Sequence, residues 1–366
     1  MIRFVDLPAQ YKSIKPEIDR AVLGVLKDCR FILGPRVESF EKKFAKFCGV
    51  KHAIGVASGL EALRLPLLAL GLGPQDEVIV PASTFIATAI AVSHAGAKLV
   101  LADCDRGTGN LDPEAFRRAI TPRTKAVIPV HLAGQPANMG AIMKIASERG
   151  IPVLEDAAQA AGASYGGKPC GSIGLAGAFS FYPGKNLGAY GDGGAITTDD
   201  DELAARLRRL RDYGSDVKYV HVEKGWNARL DALQAAVLEV KLKRLPKWNA
   251  VRARHAKRYR ELLAGVGDVS FQAPEPRAEH IYHLFCVETT RRDELAAHLK
   301  KRGVESVIHY PIPVHLQKAY ADLGLEAGSF PNAERRSDRT LSLPMFPELT
   351  DAQLRGVAKA VQEFYR

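Results

Sequence analysis

The stretch FYPGKNLGAYGDGG, residues 181–194, sets a single lysine, Lys185, among five glycines and a proline. A long cationic side chain in a loop built for tight turns suits two chemistries. One is phosphate binding by a glycine-rich loop, and the other is covalent catalysis by the lysine amine. A phosphate loop of the Walker type needs GxxxxGK followed by Ser or Thr. Gly184 and Lys185 meet half of that pattern, but Phe179 stands at the earlier glycine position and Asn186 follows the lysine. The nucleotide-hydrolase reading therefore fails. An ordinary surface lysine in a turn fits a lone GK equally well, so the covalent reading depends on the rest of the chain.

Working outward, short apolar runs alternate with helical patterns. HAIGVA (52–57), DEVIV (76–80), KLVLA (98–102), KAVIPV (125–130), IPVLE (151–155) and GAFSF (177–181) read as strands buried on both faces. SGLEALRLPLLALG, IATAIAVSHAG, DPEAFRRAI and MGAIMKIASERG lie between them as helices. This alternation predicts an α/β fold with a mostly parallel central sheet and helices on both faces. Ligands of such sheets collect at the carboxyl ends of the strands.

After about residue 245 the pattern changes to a long basic helix, a strand in HIYHLFCVET, a helix in DELAAHLKKRG, a strand-like VESVIHYPIPVH and a closing helix, DAQLRGVAKAVQEFYR. A large domain over residues 1–245 and a smaller C-terminal α+β domain over 246–366 are expected, with the first residues crossing over to the smaller one.

Three further features keep Lys185 company. Asp156 directly follows a buried-type strand, with Gln159 three residues on. Ser58 and Gly59 stand at a strand-to-helix junction, where free N–H groups and the helix dipole make an anion site. Ser180 lies five residues before the lysine. Each has a plain alternative as a cap, a turn or a strand residue. Together they match the needs of pyridoxal 5′-phosphate (PLP). Ser58 and Gly59 would hold the phosphate, and Asp156 would keep the pyridine nitrogen protonated. Lys185 would form the Schiff base, its amine pKa falling from about 10.4. Phe85, after the VIVPAST strand, is a candidate cover for the ring.

The chain resembles the DegT-type nucleotide-sugar aminotransferases, PLP enzymes of the aspartate-aminotransferase fold (fold type I). The resemblance rests on SGLEAL, GPQDEVIVPASTFIATAIAV, VIPVHLAG, VLEDAAQAAGASYGG, AFSFYPGKNLGAYGDGGAITT, RLDALQAAVLEVKL and HYPIPVHLQKAY. It implies that Gln159 sits near the cofactor's 3′ oxygen and that Ser180 binds its phosphate. It also implies that Asn227 reaches that phosphate from a neighbouring subunit, in a homodimer with shared active sites. Leu60 stands where other members carry Thr, which removes one hydroxyl from the phosphate site.

The implied reaction is transamination from L-glutamate to a nucleotide-linked ketosugar. The SFYPGK and GDGG forms resemble members acting on 3-keto sugars, such as a dTDP-3-keto-6-deoxyhexose. A UDP-linked 3-keto sugar or action at C4 is the alternative. Tyr182, His309 and Tyr310 would lie beside the hexose and Lys218, Tyr219 and His221 beside the diphosphate, with Arg229 among the substrate contacts. A strand position with a satisfied hydrogen bond describes His309 as well, and a solvated loop describes residues 218–221. The pathway implied is deoxysugar biosynthesis of the kind that feeds O-antigen and lipopolysaccharide.

The chain has 366 residues and a net charge of +10. Nine Lys or Arg and no Asp or Glu fall in residues 241–260. Leu238, Leu242, Leu245, Trp248 and Tyr259 recur there at helical spacing, which predicts the solvated face of a helix rather than a nucleic-acid stripe. The five cysteines lie far apart with no CxxC pair, so no metal site and no disulfide framework are expected. With no apolar leader and no membrane-spanning run, a cytoplasmic setting is expected. The scattered cysteines and Lys185 oppose a PLP-dependent sugar dehydratase, which uses an iron–sulfur cluster or replaces the lysine with histidine. The intact Lys185, Asp156 and Gln159 oppose a regulator that has kept only the fold.

Overall fold

The computed structural model describes residues 1–366. Seven strands form the central sheet, in the order Lys98–Ala102, Glu77–Pro81, Thr124–Val127, Leu154–Asp156, Ala176–Ser180, Gly194–Thr198, His52–Val56. Single bridges, Val127 to Val153 and Val130 to Asp156, join its three-stranded and four-stranded parts. All neighbours run parallel except Gly194–Thr198, which is antiparallel to both of its partners.

Alternation along the strands sends successive side chains to opposite faces. Val78 and Val80 enter a cluster with residues of the helices Gly59–Ala69, Ile86–His94 and Asp201–Leu210. Ile79, between them, enters the opposite cluster with Pro113–Ala119 and Met139–Glu148. Both faces are therefore covered, as the apolar strand runs require.

Each expected strand of this sheet is present; Lys98–Ala102 has the expected bounds, and the others differ by one to three residues at one or both ends. The antiparallel strand Gly194–Thr198 was not anticipated. In HIYHLFCVET only Phe285–Glu288 is a strand. VESVIHYPIPVH is not one, because Val307 makes a single bridge to Ser342 and the chain then turns away.

The C-terminal part has its own three-stranded antiparallel sheet, Ser270–Phe271, Phe285–Glu288 and Thr340–Leu343. The helices Leu245–Leu263, Arg292–Lys301 and Asp351–Phe364 pack on it around a buried apolar cluster that runs from Ala256 to Val361. Ile2 joins this part by a parallel bridge to Val304, while the helix Leu7–Asp28 lies against Ala232–Leu242. Residues 313–339 return to the main sheet. Val314, Tyr320 and Ala333 sit in its core, and the N–H groups of Asn332 and Ala333 donate to Asp103 at 3.1 and 3.0 Å.

The basic run spans two helices, Ala232–Leu242 and Leu245–Leu263, separated ahead of Pro246. The five expected apolar positions are all buried. Two of the nine cations are buried as well, so the whole run is not one solvated face. Lys241 Nζ donates to the Gly188 carbonyl at 2.7 Å and lies 4.1 Å from the Tyr190 ring centre. Arg252 donates to the Met345 carbonyl at 2.6 Å.

Beneath the sheet's carboxyl edge, buried Glu155 accepts from the N–H groups of Gly171, Ile173 and Gly174 at 2.7 to 2.9 Å and pairs with His131 Nε2 at 3.0 Å. His131 Nδ1 accepts from Ala137 N–H. Cys170 lies beside this pair, but the carboxylate and imidazole atoms are already committed to hydrogen bonds, which describes a fastening of the loop after Asp156 rather than a metal centre.

Candidate active site

A cavity of about 610 Å³ opens at the carboxyl ends of the central strands. It is lined by Ser58, Gly59, Leu60, Phe85, Asp156, Gln159, Ser180, Tyr182, Lys185, His309 and Tyr310. Eleven of the residues singled out in the sequence thus meet in one place.

Asp156 ends its strand and is 5% exposed. Its Oδ2 accepts from the Thr88 hydroxyl at 2.8 Å and its Oδ1 from the Ala158 N–H at 3.1 Å. Burial raises its pKa, and these two donors oppose the rise, helped by the nearby charge of Lys185. Lys185 lies in the loop between the paired strand ends Ser180 and Gly194. Desolvation lowers its pKa to about 8, against the opposing pull of Asp156. Roughly a tenth of the amine is therefore the free nucleophile at pH 7, far more than an ordinary lysine with a pKa of about 10.4 supplies.

Ser58 caps the helix Gly59–Ala69, accepting from Glu61 N–H at 3.2 Å. The first intrahelical donor is Ala62 N–H, to Ser58 O at 3.0 Å. The N–H groups of Gly59 and Leu60 precede it at the positive end of the helix dipole, where an anion is favoured. A Cβ on Gly59 would lie 2.7 Å from the Ser180 Cβ, and one on Gly194 would lie 2.3 Å from the Ser58 carbonyl oxygen. Glycine at both places lets the helix terminus and Ser180 form one compact cradle.

The opposite wall carries the aromatic groups. Phe85 is half-exposed to the cavity, its ring 5.2 Å from that of Tyr310. Gln159 bridges two elements, its Oε1 accepting from Ala133 N–H at 2.6 Å and its Nε2 donating to the Tyr310 hydroxyl at 3.0 Å. His309 contacts Ser342 Oγ through Nδ1 at 2.9 Å and also lines the cavity, so the two readings of that residue coexist. Burial, with Lys185 nearby, lowers its pKa to about 4 and leaves it neutral at pH 7.

These groups suit PLP. Asp156 holds one donor on each oxygen and keeps lone pairs for a ring N–H. The helix terminus, Ser58 and Ser180 suit a phosphate, and Phe85 presents an aromatic face.

Five expected contacts do not line the cavity of this chain. Asn227 is exposed. Arg229 pairs with Asp212 at 2.8 Å and stacks on Tyr213. Lys218, Tyr219 and His221 lie on an exposed hairpin, Ser215–Val217 with Val220–His221.

Sequence reasoning passed over Thr84, Thr88, Asp192, His283 and Phe4, all of which line the cavity. Thr84 and Thr88 follow the carboxyl end of Glu77–Pro81, and that placement was the available signal. Phe4 arrives from the chain's start and gave none.

A family model described as the DegT/DnrJ/EryC1/StrS aminotransferase family matches residues 12–362. A dTDP-3-amino-3,4,6-trideoxy-alpha-D-glucose transaminase from Streptomyces venezuelae is 48% identical over 99% of this chain and 96% of its own. A UDP-2-acetamido-2-deoxy-3-oxo-D-glucuronate aminotransferase from Pseudomonas aeruginosa is 44% identical over 99% of both chains. The crystal structure of S. venezuelae DesV in complex with a ketimine intermediate superposes with a TM-score of 0.98 at 48% identity, covering 100% of this chain and 98% of that one. With the lysine, the buried carboxylate and the phosphate cradle in one cavity, the chain belongs to the DegT/DnrJ/EryC1/StrS family of PLP-dependent sugar aminotransferases.

Proposed function

We propose that the protein moves an amino group from L-glutamate to the C3 keto carbon of a nucleotide-linked sugar, a dTDP-3-keto-6-deoxyhexose. The observation that carries this is the convergence of Lys185 and Asp156 on one cavity with the helix terminus at Gly59. The relatives named above support position C3, since both names place the nitrogen or the keto group there.

When bound, PLP supplies a carbonyl that amines condense with and a ring that withdraws electrons from the adjacent carbon. Lys185 Nζ, once freed, accepts the proton from one carbon and returns it to the other as general base and acid. Asp156 holds a proton on the ring nitrogen. The N–H groups of Gly59 and Leu60, with Ser58 and Ser180, hold the phosphate. Tyr182, neutral His309 and Tyr310 offer hydrogen bonds to the hexose.

Asn227, Arg229 and the 218–221 hairpin act on the neighbouring subunit's cavity in a homodimer, which fits the exposure of Asn227 and the hairpin away from this one, with Arg229 held beside them by Asp212. Residues 1–245 form the cofactor domain and 246–366 the smaller domain; the separate core from Ala256 to Val361 supports the division, although residues 313–339 pack back on the larger part. No helix is long and apolar enough to cross a membrane, and we place the enzyme in the cytoplasm with its nucleotide-sugar substrates.

The test offers the glutamate-treated enzyme a panel of dTDP- and UDP-linked 3-keto and 4-keto sugars. Amination of the dTDP-linked 3-keto sugar is expected. Exclusive reaction with 4-keto sugars overturns the position, and exclusive reaction with UDP-linked 3-keto sugars selects the chemistry of the Pseudomonas relative.

A further inference from the structure

Asp156 is served by a directed chain of hydroxyls. Thr88 is 1% exposed and Thr84 is 4% exposed. Their Oγ1 atoms are 2.8 Å apart, and Thr88 Oγ1 is 2.8 Å from Asp156 Oδ2. A carboxylate only accepts, so the Thr88 hydroxyl must donate to it. Thr88 has one hydroxyl hydrogen, so the hydroxyl of Thr84 must donate to Thr88. The Phe85 carbonyl, 3.2 Å from Thr88 Oγ1, is a longer and uncharged competitor for the same hydrogen. The helix Ile86–His94 supports the arrangement by placing Thr88 in its first turn, above the edge where Asp156 ends.

We propose that Thr88, polarised by Thr84, is a positioning residue that fixes the orientation and charge of the Asp156 carboxylate toward the cofactor ring. The inference rests on the reading of Asp156 as the partner of the ring nitrogen. A buried carboxylate favours its neutral form unless donors or positive charge hold the ion. Besides Thr88, only the Ala158 N–H donates to the Asp156 carboxylate, and the Lys185 and His131 side chains act on it at longer range. Tyr310, the other titratable group beside it, has its own pKa raised by burial and by Asp156 and stays neutral. Removing the Thr88 hydroxyl thus removes one of two direct anchors. The carboxyl then takes up a proton more readily and turns more freely, and the ring nitrogen holds its proton less well.

The test compares wild type with Thr88→Val, Thr88→Ser, Thr84→Val and Asp156→Asn. PLP affinity is measured by fluorescence titration of the apoprotein, and the visible band of the holoenzyme is followed against pH. Thr88→Val is expected to weaken PLP binding about tenfold, the loss of one hydrogen bond to a charged group. It is also expected to move the pH midpoint of the visible band upward, because a less protonated ring withdraws less charge from the Lys185 nitrogen. Thr88→Ser restores both, and Thr84→Val shifts both in the same direction by less. Melting temperatures verify that each variant is folded, with Thr88→Ser as the reference. An unchanged affinity and midpoint in folded Thr88→Val, with Asp156→Asn strongly altered, overturns the proposal. An unaltered Asp156→Asn overturns instead the role given to Asp156.

Discussion

Gly59 and Ser180 touch so closely that the first helical residue after one strand has no room for a side chain beside the last residue of another. The added Cβ would sit 2.7 Å from the Ser180 Cβ, well inside van der Waals contact. The same contact brings a hydroxyl next to the free N–H groups of the helix terminus, so one packing constraint builds the phosphate cradle.

Gly59→Ala is therefore expected to push the helix terminus away from Ser180. Overpacking of this kind costs about 1–3 kcal/mol, and the displaced donors weaken PLP binding about tenfold. Fluorescence titration of the apoprotein and a urea unfolding curve measure the two effects. Wild-type affinity in the variant would show that the cradle lies elsewhere.

Covalent attachment of PLP to the apoprotein should follow the deprotonation of Lys185. Its rate is expected to rise as pH passes through about 8 and to level off above it. Lys185→Ala should retain bound PLP without a covalent link after borohydride treatment, and should lose transamination by about a thousandfold or more. A midpoint near the ordinary lysine value of about 10.4 would mean that the amine is not desolvated.

Lys241 titrates in the same direction. Desolvation outweighs the opposing charge of Glu348 and lowers its pKa to about 7 in the folded protein. The unfolded chain, with an ordinary value of about 10.4, binds more protons between these limits, so the folded state becomes more stable as pH rises across that window. Lys241→Met removes this slope. Urea midpoints of wild type and variant, measured from pH 7 to pH 10, should separate increasingly in favour of wild type. A difference that stays flat with pH would refute the assignment.

Glu155→Gln turns an acceptor-only side chain into one with an amide NH₂ facing backbone donors. At least one of the Gly171, Ile173 and Gly174 N–H bonds or the His131 contact is lost in a fully buried site. The expected destabilisation is roughly 3 kcal/mol by urea unfolding, accompanied by weaker PLP binding because the loop after Asp156 loosens. A change below about 0.5 kcal/mol, the usual range of surface substitutions, would show that the network is dispensable.

Shared active sites predict complementation. Chains carrying Lys185→Ala and chains carrying Asn227→Ala, each inactive alone, should regain about a quarter of wild-type activity when mixed and reassembled, since half of random two-fold dimers then carry one intact site. No recovery, with exchange of subunits verified by mass, would place Asn227 in its own chain's chemistry or in none.

The alternation of buried strands and helices made the central sheet legible, because strands covered on both faces must be apolar throughout. Gly194–Thr198 escaped notice because GDGG leads straight into it, and two threonines give a five-residue strand little apolar signature. Asp156 and Lys185 could be read from their places at strand ends. Thr88, which donates to Asp156 from 68 residues earlier in the chain, could not be, since only the folded sheet brings them together. The basic run shows a further limit. Sequence counts charges, but it cannot tell that Lys241 points inward to the Gly188 carbonyl while Lys243, Lys247, Arg254 and Lys257 face water.

The antiparallel strand has a mechanical consequence. Both legs of the segment bearing Lys185 are strands paired to each other, Ser180 against Gly194, with a further strand on each outer side, so the reactive amine sits on a loop fastened to the sheet at both ends. The facing wall is fastened differently, His309 to Ser342 of the C-terminal sheet and Tyr310 to Gln159 beside Asp156, so the cavity is closed by groups from both parts of the chain.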